Sequence, residues 1–373
     1  MRRAAVAALA VALVAPATAA ASLQTALERA LSVPHVSLAA TGAVVLDLDT
    51  GQTVYSRNAN LSLLPASNEK LAVTYAALTA LGPSFTIETD VLGEGTQTAT
   101  TWTGDLVLKG YGDPTLSRAG LMSLARQVRA DGITRVTGHI LGDESWFDSR
   151  RMAVGWKAAF YINESPPLSA LIVDRGWVGH YTSRDPALAA AQIFRADLIK
   201  AGVSVSHDAA HGTADDGATP LASIDSPTLA TIVHAMDRVS DNFYAEMLVK
   251  ELGAVQGDAG TTAAGVGVIT GLLAQAGVPL TGVRLVDGSG LSLLDRCTPA
   301  SLAALLTTMW NDTDVRWELL SSLPVAGRTG TLDHRMRTGP AAGVVRAKTG
   351  TTDNASALSG FVGSRYVFSI LQN

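Results

Sequence analysis

The spacing of apolar positions changes period along this chain, and the changes mark its elements. Near the start it reads Gly42-Ala43-Val44-Val45-Leu46-Asp47-Leu48, then Asp49-Thr50-Gly51, then Gln52-Thr53-Val54-Tyr55-Ser56. Strand-like runs on either side of an Asp-Thr-Gly turn predict a β-hairpin. A short helical segment, Leu23 to Leu31, precedes it. The period then lengthens: Leu71, Tyr75, Leu78 and Leu81 recur at helical spacing, and Gly82-Pro83 stops that helix. Far downstream, Ser226-Pro227 reads as an N-cap and an N1 proline opening a helix with Leu229, Ile232, Val233 and Met236 as its stripe. That stripe breaks at Ser240-Asp241-Asn242, and a further helix carries Phe243 to Leu252. Gly343 to Leu371 reads as strand, turn and strand, with Lys348 near the end of the first.

Between these blocks the texture differs. Strand-like pieces such as Thr86-Ile87-Glu88-Thr89 and Asp105-Leu106-Val107-Leu108 alternate with Gly- and Asp-rich turns, of which Gly110 to Pro114 is one. A helix-like stretch, Pro186 to Gly202, comes near the end. Residues 86–222 therefore read as a mostly β insertion separating two halves of one domain, 22–85 and 223–373. No repeat of convincing period is present.

Composition limits the possibilities. Apolar residues make up 47% of 373 and aromatics only 5%, so a sizeable core is expected to rest on Ala, Leu and Val. Met1-Arg2-Arg3, an apolar run from Ala4 to Val14 and small residues around Ala19-Ala20-Ala21 read as a signal peptide over 1–21. No later stretch is long and apolar enough to predict a membrane span. Without Arg2 and Arg3 the 28 basic residues fall to 26 against 33 acidic, a formal charge of −7. That balance argues against nucleic acid and anionic wall polymers as partners. The single cysteine, Cys297, permits no internal disulfide and reads as a structural, buried thiol.

Three short strings carry the candidate chemistry: Ser67-Asn68-Glu69-Lys70, Ser240-Asp241-Asn242 and Lys348-Thr349-Gly350. A serine hydroxyl needs a base within hydrogen-bond reach to become a nucleophile. At i and i+3 on a helix, Ser67 and Lys70 share a face, with Cβ atoms roughly 5–6 Å apart. Burial and a cationic neighbour such as Lys348 lower a lysine's proton affinity and suit Lys70 to that task. Ser240 and Asn242 offer a hydroxyl and an amide at a break between helices, with Asp241 structural. A second string, Arg328-Thr329-Gly330-Thr331, competes for the third role, but a charged loop follows it. Val344-Val345 before Lys348 and a hairpin pattern after it favour Lys348. His207 and His211 have metal-like spacing but lie among Asp208, Gly212 and Asp215-Asp216, which reads as a solvated loop.

In that order the three strings resemble those of class A β-lactamases and penicillin-binding proteins. Flanking strings narrow the resemblance: Pro65 to Lys70, Gly110 to Leu116, Gly142-Asp143-Glu144-Ser145, Ser169-Ala170-Leu171, Ser240 to Glu246, Asp287 to Ser292 and Lys348 to Leu358. From about residue 23 onward the chain is similar to the D-alanyl-D-alanine carboxypeptidase/endopeptidase family of class C low-molecular-mass penicillin-binding proteins, peptidase family S13. The resemblance implies an α+β fold of the serine β-lactamase/DD-peptidase type, an antiparallel sheet with flanking helices. It implies Ser67 as the acylated nucleophile, Lys70 as its base, Ser240 and Lys348 as a proton relay, and Asn242 as a holder of the substrate carbonyl. Thr349 would bind the terminal carboxylate, with Gly350 and Thr351 completing the strand edge; backbone N–H groups of Ser67 and Thr351 would form the oxyanion hole. The implied partners are peptidoglycan peptides ending in D-Ala-D-Ala and acylating β-lactams, with no metal and no organic cofactor.

Two departures from the family pattern stand out. The segment between Asp174 and Asp185 is short where relatives carry a nested domain. The chain ends at Asn373, before the last strand and C-terminal helix that usually follow. A secreted serine β-lactamase is the first alternative, but the E-x-x-L-N string that class A enzymes use for deacylation is absent. A non-catalytic envelope protein retaining the fold is the second. Carboxypeptidase against endopeptidase preference and oligomeric state stay open.

Overall fold

The computed structural model describes residues 24–32 and 37–373, so the signal-peptide reading lies outside the described residues. A helix over residues 24–31 (α1) leads to β1 (Thr41–Asp47) and β2 (Thr53–Arg57). These two form the expected hairpin. Its turn closes because Asp47 Oδ1 accepts the N–H groups of Asp49 and Thr50, at 3.0 and 3.1 Å. A 3-10 turn, Ala66–Glu69, then runs directly into α2 (Lys70–Ala80).

The middle of the chain builds a second sheet. Its elements are β3 (Glu88–Thr98), β4 (Thr101–Gly110), α3 (Arg118–Ala130), β5 (Arg135–Val136) and β6 (Ile140–Asp143). The hairpin of β7 (Trp177–Val178) and β8 (Tyr181–Thr182) follows, then α4 (Pro186–Lys200), β9 (Ser204–Val205), β10 (Ala209–His211) and β11 (Thr219–Asp225). The sheet has the order β10-β6-β4-β3-β11, with β5 paired to β4 and β9 paired to β5. Its own core joins Leu106, Leu108 and Ile140 to Leu121, Leu124 and Phe194 from the two helices. Helix α4 was expected from the pattern; α3 was not. Ser117 caps α3 by accepting the Gly120 N–H, and Leu121, Leu124, Ala125 and Val128 are its buried stripe.

The chain then returns through α5 (Leu229–Val239), α6 (Asn242–Gln256), α7 (Thr262–Gln275), α8 (Pro299–Asn311) and α9 (Arg316–Ser322). Helix α5 starts later than the Ser226-Pro227 signal suggests. Ser226 Oγ is engaged elsewhere, accepting the Ile87 N–H and donating to the Pro227 carbonyl, and Thr228 is the residue before the first helical turn. Three strands end the chain: β12 (Val345–Thr352), β13 (Ala355–Val362) and β14 (Tyr366–Gln372). The expected strand, turn and strand are thus corrected to three strands, and the last strand read as missing is present. The run that looked like one strand bends at Gly363-Ser364-Arg365, so β14 folds back to lie between β13 and β1. Lys348 accordingly sits in the middle of β12.

The first sheet is antiparallel, in the order β12-β13-β14-β1-β2. Helix α8, opened by a Thr298–Ser301 capping box with Pro299 at its first turn, packs against β1, β13 and β14. The main core gathers α2, α5, α6 and α8 with Phe361, Val367 and Leu371 from the sheet. Ala72, Ala76 and Ala77 are all buried in α2, which lets its neighbours approach closely. Among the described residues no helix is long and apolar enough to cross a membrane.

Candidate active site

Ser67 lies on the 3-10 turn that opens α2, half-buried, one residue after a left-handed Ala66 at φ 45°. The edge strand β12 runs against this turn. A Cβ on Gly350 would lie 2.9 Å from the Ser67 nitrogen and 3.0 Å from the Pro65 carbonyl oxygen, so glycine is what lets the strand come this near. Asn68, fully buried, fastens the contact by donating from Nδ2 to the Lys348 carbonyl at 3.1 Å. Behind the turn, Gly290 is left-handed at φ 79° and leaves room for the Ala66 carbonyl, which a Cβ there would meet at 1.9 Å.

Lys70 is fully buried, and its Nζ donates to Ser67 Oγ at 3.0 Å, Asn242 Oδ1 at 2.8 Å and the Ser289 carbonyl at 2.7 Å. Burial pulls its pKa down to about 8, against the opposing pull of Asp287, Glu246, Asp241 and Asp237. Lys348, also fully buried, donates to Ser240 Oγ at 2.7 Å and to the Thr349 carbonyl at 2.9 Å. Burial first and the Lys70 charge second bring it down to about 7, with Asp237 opposing. Ser240 ends α5 in the left-handed region, φ 63° and ψ 44°, and Asp241 Oδ1 caps α6 by accepting the Tyr244 N–H at 3.1 Å. The two helices therefore meet at a sharp turn that presents Ser240 to one lysine and Asn242 to the other. Asn242 keeps its Nδ2 for the Glu164 carbonyl at 3.1 Å.

All three strings converge, and the competing one is near them. Thr349 Oγ1 donates to Thr331 Oγ1 at 2.7 Å, so the Arg328 to Thr331 loop borders the site while Lys348 occupies its interior. Gly350 lies buried under the Ser67 turn and Thr351 is exposed on β12.

Two supports were not singled out from the sequence. Asp237, three residues before Ser240 and fully buried, accepts from Thr74 at 2.8 Å and Ser322 at 2.9 Å, and offsets both lysine charges. Its position on the buried stripe of α5 is the available signal. The 287–292 loop, which entered only as a flanking string of the resemblance and with no role at the site, supplies the Ser289 carbonyl. Asp287 shapes it by accepting N–H groups of Gly290, Leu291 and Ser292 and the Trp156 indole N–H, while Glu246 Oε1 accepts those of Gly288 and Ser289.

Among the described residues, Glu69, Asp287 and Asp295 are the group with spacing suited to a metal ion. Asp287 is already saturated by donors. Glu69 has none, and burial with the facing Asp295 and Asp287 carboxyls drives its pKa well up. Asp295 is pushed up to about 10 by burial first. Burial thus holds Glu69 and Asp295 toward their neutral forms, which makes the group a poor cage for a cation. Cys297 is buried, bridged through its backbone to Leu63, and its thiol pKa is raised by burial, which matches a structural thiol. His207 stacks on His139 and the His211 Nε2 meets Asp185 at 2.9 Å, so the two histidines face different partners.

An antiparallel sheet flanked by helices, with a serine–lysine pair under its edge strand, defines the serine DD-peptidase class of fold. The family model described as D-Ala-D-Ala carboxypeptidase 3 (S13) matches residues 23–181 and 178–373. The D-alanyl-D-alanine carboxypeptidase of Actinomadura sp. strain R39 is 32% identical over 92% of this chain and 79% of its own length. The crystal structure of penicillin binding protein 4 from Haemophilus influenzae superposes with a TM-score of 0.81 at 22% identity, covering 89% of this chain and 90% of that one. The same protein in complex with a β-lactam gives 0.78 at 21% identity, over 91% and 90%. At those identities the two structures speak to the fold alone. The chain belongs to the D-Ala-D-Ala carboxypeptidase 3 (S13) family. It is an enzyme of the serine-type D-Ala-D-Ala carboxypeptidase kind.

Proposed function

We propose that this enzyme acts on peptidoglycan stem peptides ending in D-Ala-D-Ala through an acyl-enzyme on Ser67, and that penicillins acylate the same hydroxyl. The observation that carries this reading is the 3.0 Å contact between Lys70 Nζ and Ser67 Oγ inside a closed ring of acceptors. Neutral Lys70 takes the hydroxyl proton as Oγ bonds to the carbonyl carbon of the penultimate D-Ala. The backbone N–H groups of Ser67 and Thr351 are the proposed donors to the resulting oxyanion. Collapse breaks the C–N bond, and the departing D-Ala amine receives a proton from Lys348 by way of Ser240. Water then attacks the ester and gives its proton to Lys348 by way of Ser240, while the Ser67 oxygen leaves with the proton held on Lys70, which releases the shortened peptide and restores both lysines. Thr349 and the Lys348 charge suit the terminal carboxylate, and Asn242 Nδ2 suits the amide carbonyl. A β-lactam keeps its leaving amine tethered, so its acyl-enzyme is expected to be long-lived.

Cleavage of a cross-link shares the acyl half of this reaction and differs only in the amine expelled, so endopeptidase activity is part of the proposal. Export ahead of folding, directed by residues 1–21, would place the enzyme beside the wall. The test is labelling with a fluorescent penicillin, read by gel and intact mass, on the parent and Ser67→Ala. The parent is expected to carry one label lasting minutes or longer and the variant none. Labelling that survives the substitution would remove Ser67 from its role. Free D-Ala from a pentapeptide, against monomer from a cross-linked dimer, separates the two peptidase activities.

A further inference from the structure

Arg175 lies on the 3-10 turn Asp174–Gly176, where the short segment between Asp174 and Asp185 begins. Asp174 and Arg175 are both left-handed, at φ 45° and 57°, a conformation unfavourable for either residue. Asp174 is anchored by its N–H to the Leu116 carbonyl at 2.8 Å and by its carboxylate to Arg118 at 3.3 Å. The backbone so fixed sends the Arg175 side chain out of the inserted part of the chain and onto the second string of the site. Nη1 meets Asp241 Oδ2 at 2.6 Å and Nη2 meets Oδ1 at 3.2 Å. The guanidinium also lies over the rings of Phe243 and Tyr244, 5.1 and 5.7 Å from their centres. Asp241 stands between Ser240, which holds Lys348, and Asn242, which holds Lys70.

We infer that Arg175 is a positioning residue for acylation: by clamping Asp241 it holds the Ser240-Asp241-Asn242 turn against both lysines and shields Lys70 from the Asp241 charge. The inference rests on the acyl-enzyme reading above. Its physical basis is a fork-to-carboxylate pair with two parallel donors, stiffened by ring stacking, which fixes the position of Asp241 and sets a cation against its carboxyl. Lys70 faces the carboxyl groups of Asp287, Glu246, Asp241 and Asp237 and the Lys348 amine. Of those carboxyls, Asp241 is the one paired with an arginine. Asp241 itself faces Arg175 and the Tyr244 ring of its own helix. Taking the guanidinium away leaves an uncompensated carboxylate that favours the protonated, unreactive form of Lys70. A residue acting only through fold stability would slow acylation without moving its pH dependence.

The experiment is the rate of acylation by a fluorescent penicillin from pH 5.5 to 9.5, with thermal unfolding measured alongside, for the parent, Arg175→Ala, Arg175→Lys, Arg175→Gln and Arg175→Ala/Asp241→Asn. Arg175→Ala is expected to lose about tenfold in rate at pH 7 and to shift its acid-side midpoint up by roughly half a pH unit. Arg175→Lys keeps the charge and loses the fork, so its midpoint stays near the parent's while its rate falls. Adding Asp241→Asn removes the shift. Should Arg175→Ala unfold at the assay temperature, Gln against Lys gives the same comparison: Gln shifted, Lys not. An unshifted midpoint in the uncharged variants, or a shift that persists without the Asp241 carboxylate, overturns the inference. A parent that takes no label removes the acyl-enzyme reading and this inference with it; a labelled parent with unshifted variants removes this inference alone.

Discussion

Replacing Glu251 by glutamine is expected to stabilise the protein by an amount that grows as pH rises from about 4.5 to about 7 and then levels off. Glu251 is buried on α6, and its Oε2 accepts the Trp146 indole N–H at 2.9 Å across the junction between the two parts of the chain. Burial pushes its pKa from 4.5 up to about 7, with the indole hydrogen bond opposing. A folded-state pKa above the unfolded one means that the neutral acid belongs to the native state. Its stability is fully present below pH 4.5 and is lost as pH rises through 7. Complete ionisation at pH 9 costs about 3 kcal/mol, of which about 2.5 kcal/mol arises between pH 5 and 9. Glutamine keeps an acceptor for Trp146 and cannot ionise. Urea unfolding of parent and Glu251→Gln at pH 5 and pH 9 measures the effect, and the difference between the two pH values cancels any constant cost of the substitution. The reasoning is refuted if parent and variant lose the same stability between those pH values.

Three further predictions concern the site. Lys70 and Lys348 lie close to one another with values of about 8 and 7, and the proposed mechanism needs one proton on the pair. Acylation by penicillin should therefore peak between those values and fall about tenfold per unit on both limbs; a rate flat from pH 5.5 to 9.5 would contradict the assignment. Gly350→Ala should push β12 off the Ser67 turn through backbone contacts at 2.9 and 3.0 Å, and lower the acylation rate by about 10²-fold for each ångström of displacement, with a smaller change in unfolding midpoint. Glu69→Gln should leave acylation near the parent level, because burial and the facing carboxyls already hold the native side chain toward its neutral form. Its raised pKa also makes the variant's stability advantage grow as pH rises, which urea unfolding at pH 6 and 9 would show.

Much of this arrangement was legible because local rules and chemistry agreed. The Asp47 to Gly51 turn, the helix after Lys70 and the break at Ser240-Asp241-Asn242 are local signals, and the first two strings of the site sit on the last two of them. What escaped depends on tertiary partners. Ser226 looked like a helix cap, yet the Ile87 N–H from a distant segment claims its hydroxyl. The last strand was hidden because Gly363-Ser364-Arg365 is too short a punctuation to separate two apolar runs by pattern alone. Asp237 reads as an ordinary helical aspartate until Thr74, Ser322 and the two lysines are found around it. Nothing local marked Arg175 as a partner of Asp241, since 66 positions separate them.

The pairing of β14 with β1, Thr41 opposite Gln372, joins strands from opposite ends of the described chain. Ser67 and Lys70 come together within a single turn, whereas β12 and its hairpin partners β13 and β14 join the rest of the first sheet through the β14–β1 pairing, a contact of the sequence-distant kind that is slow to form. The serine and its nearest lysine thus depend on a local turn, while the lysine on β12 depends on strands from far apart in the sequence, so a lesion at the β14–β1 seam is expected to disturb the second lysine before the first.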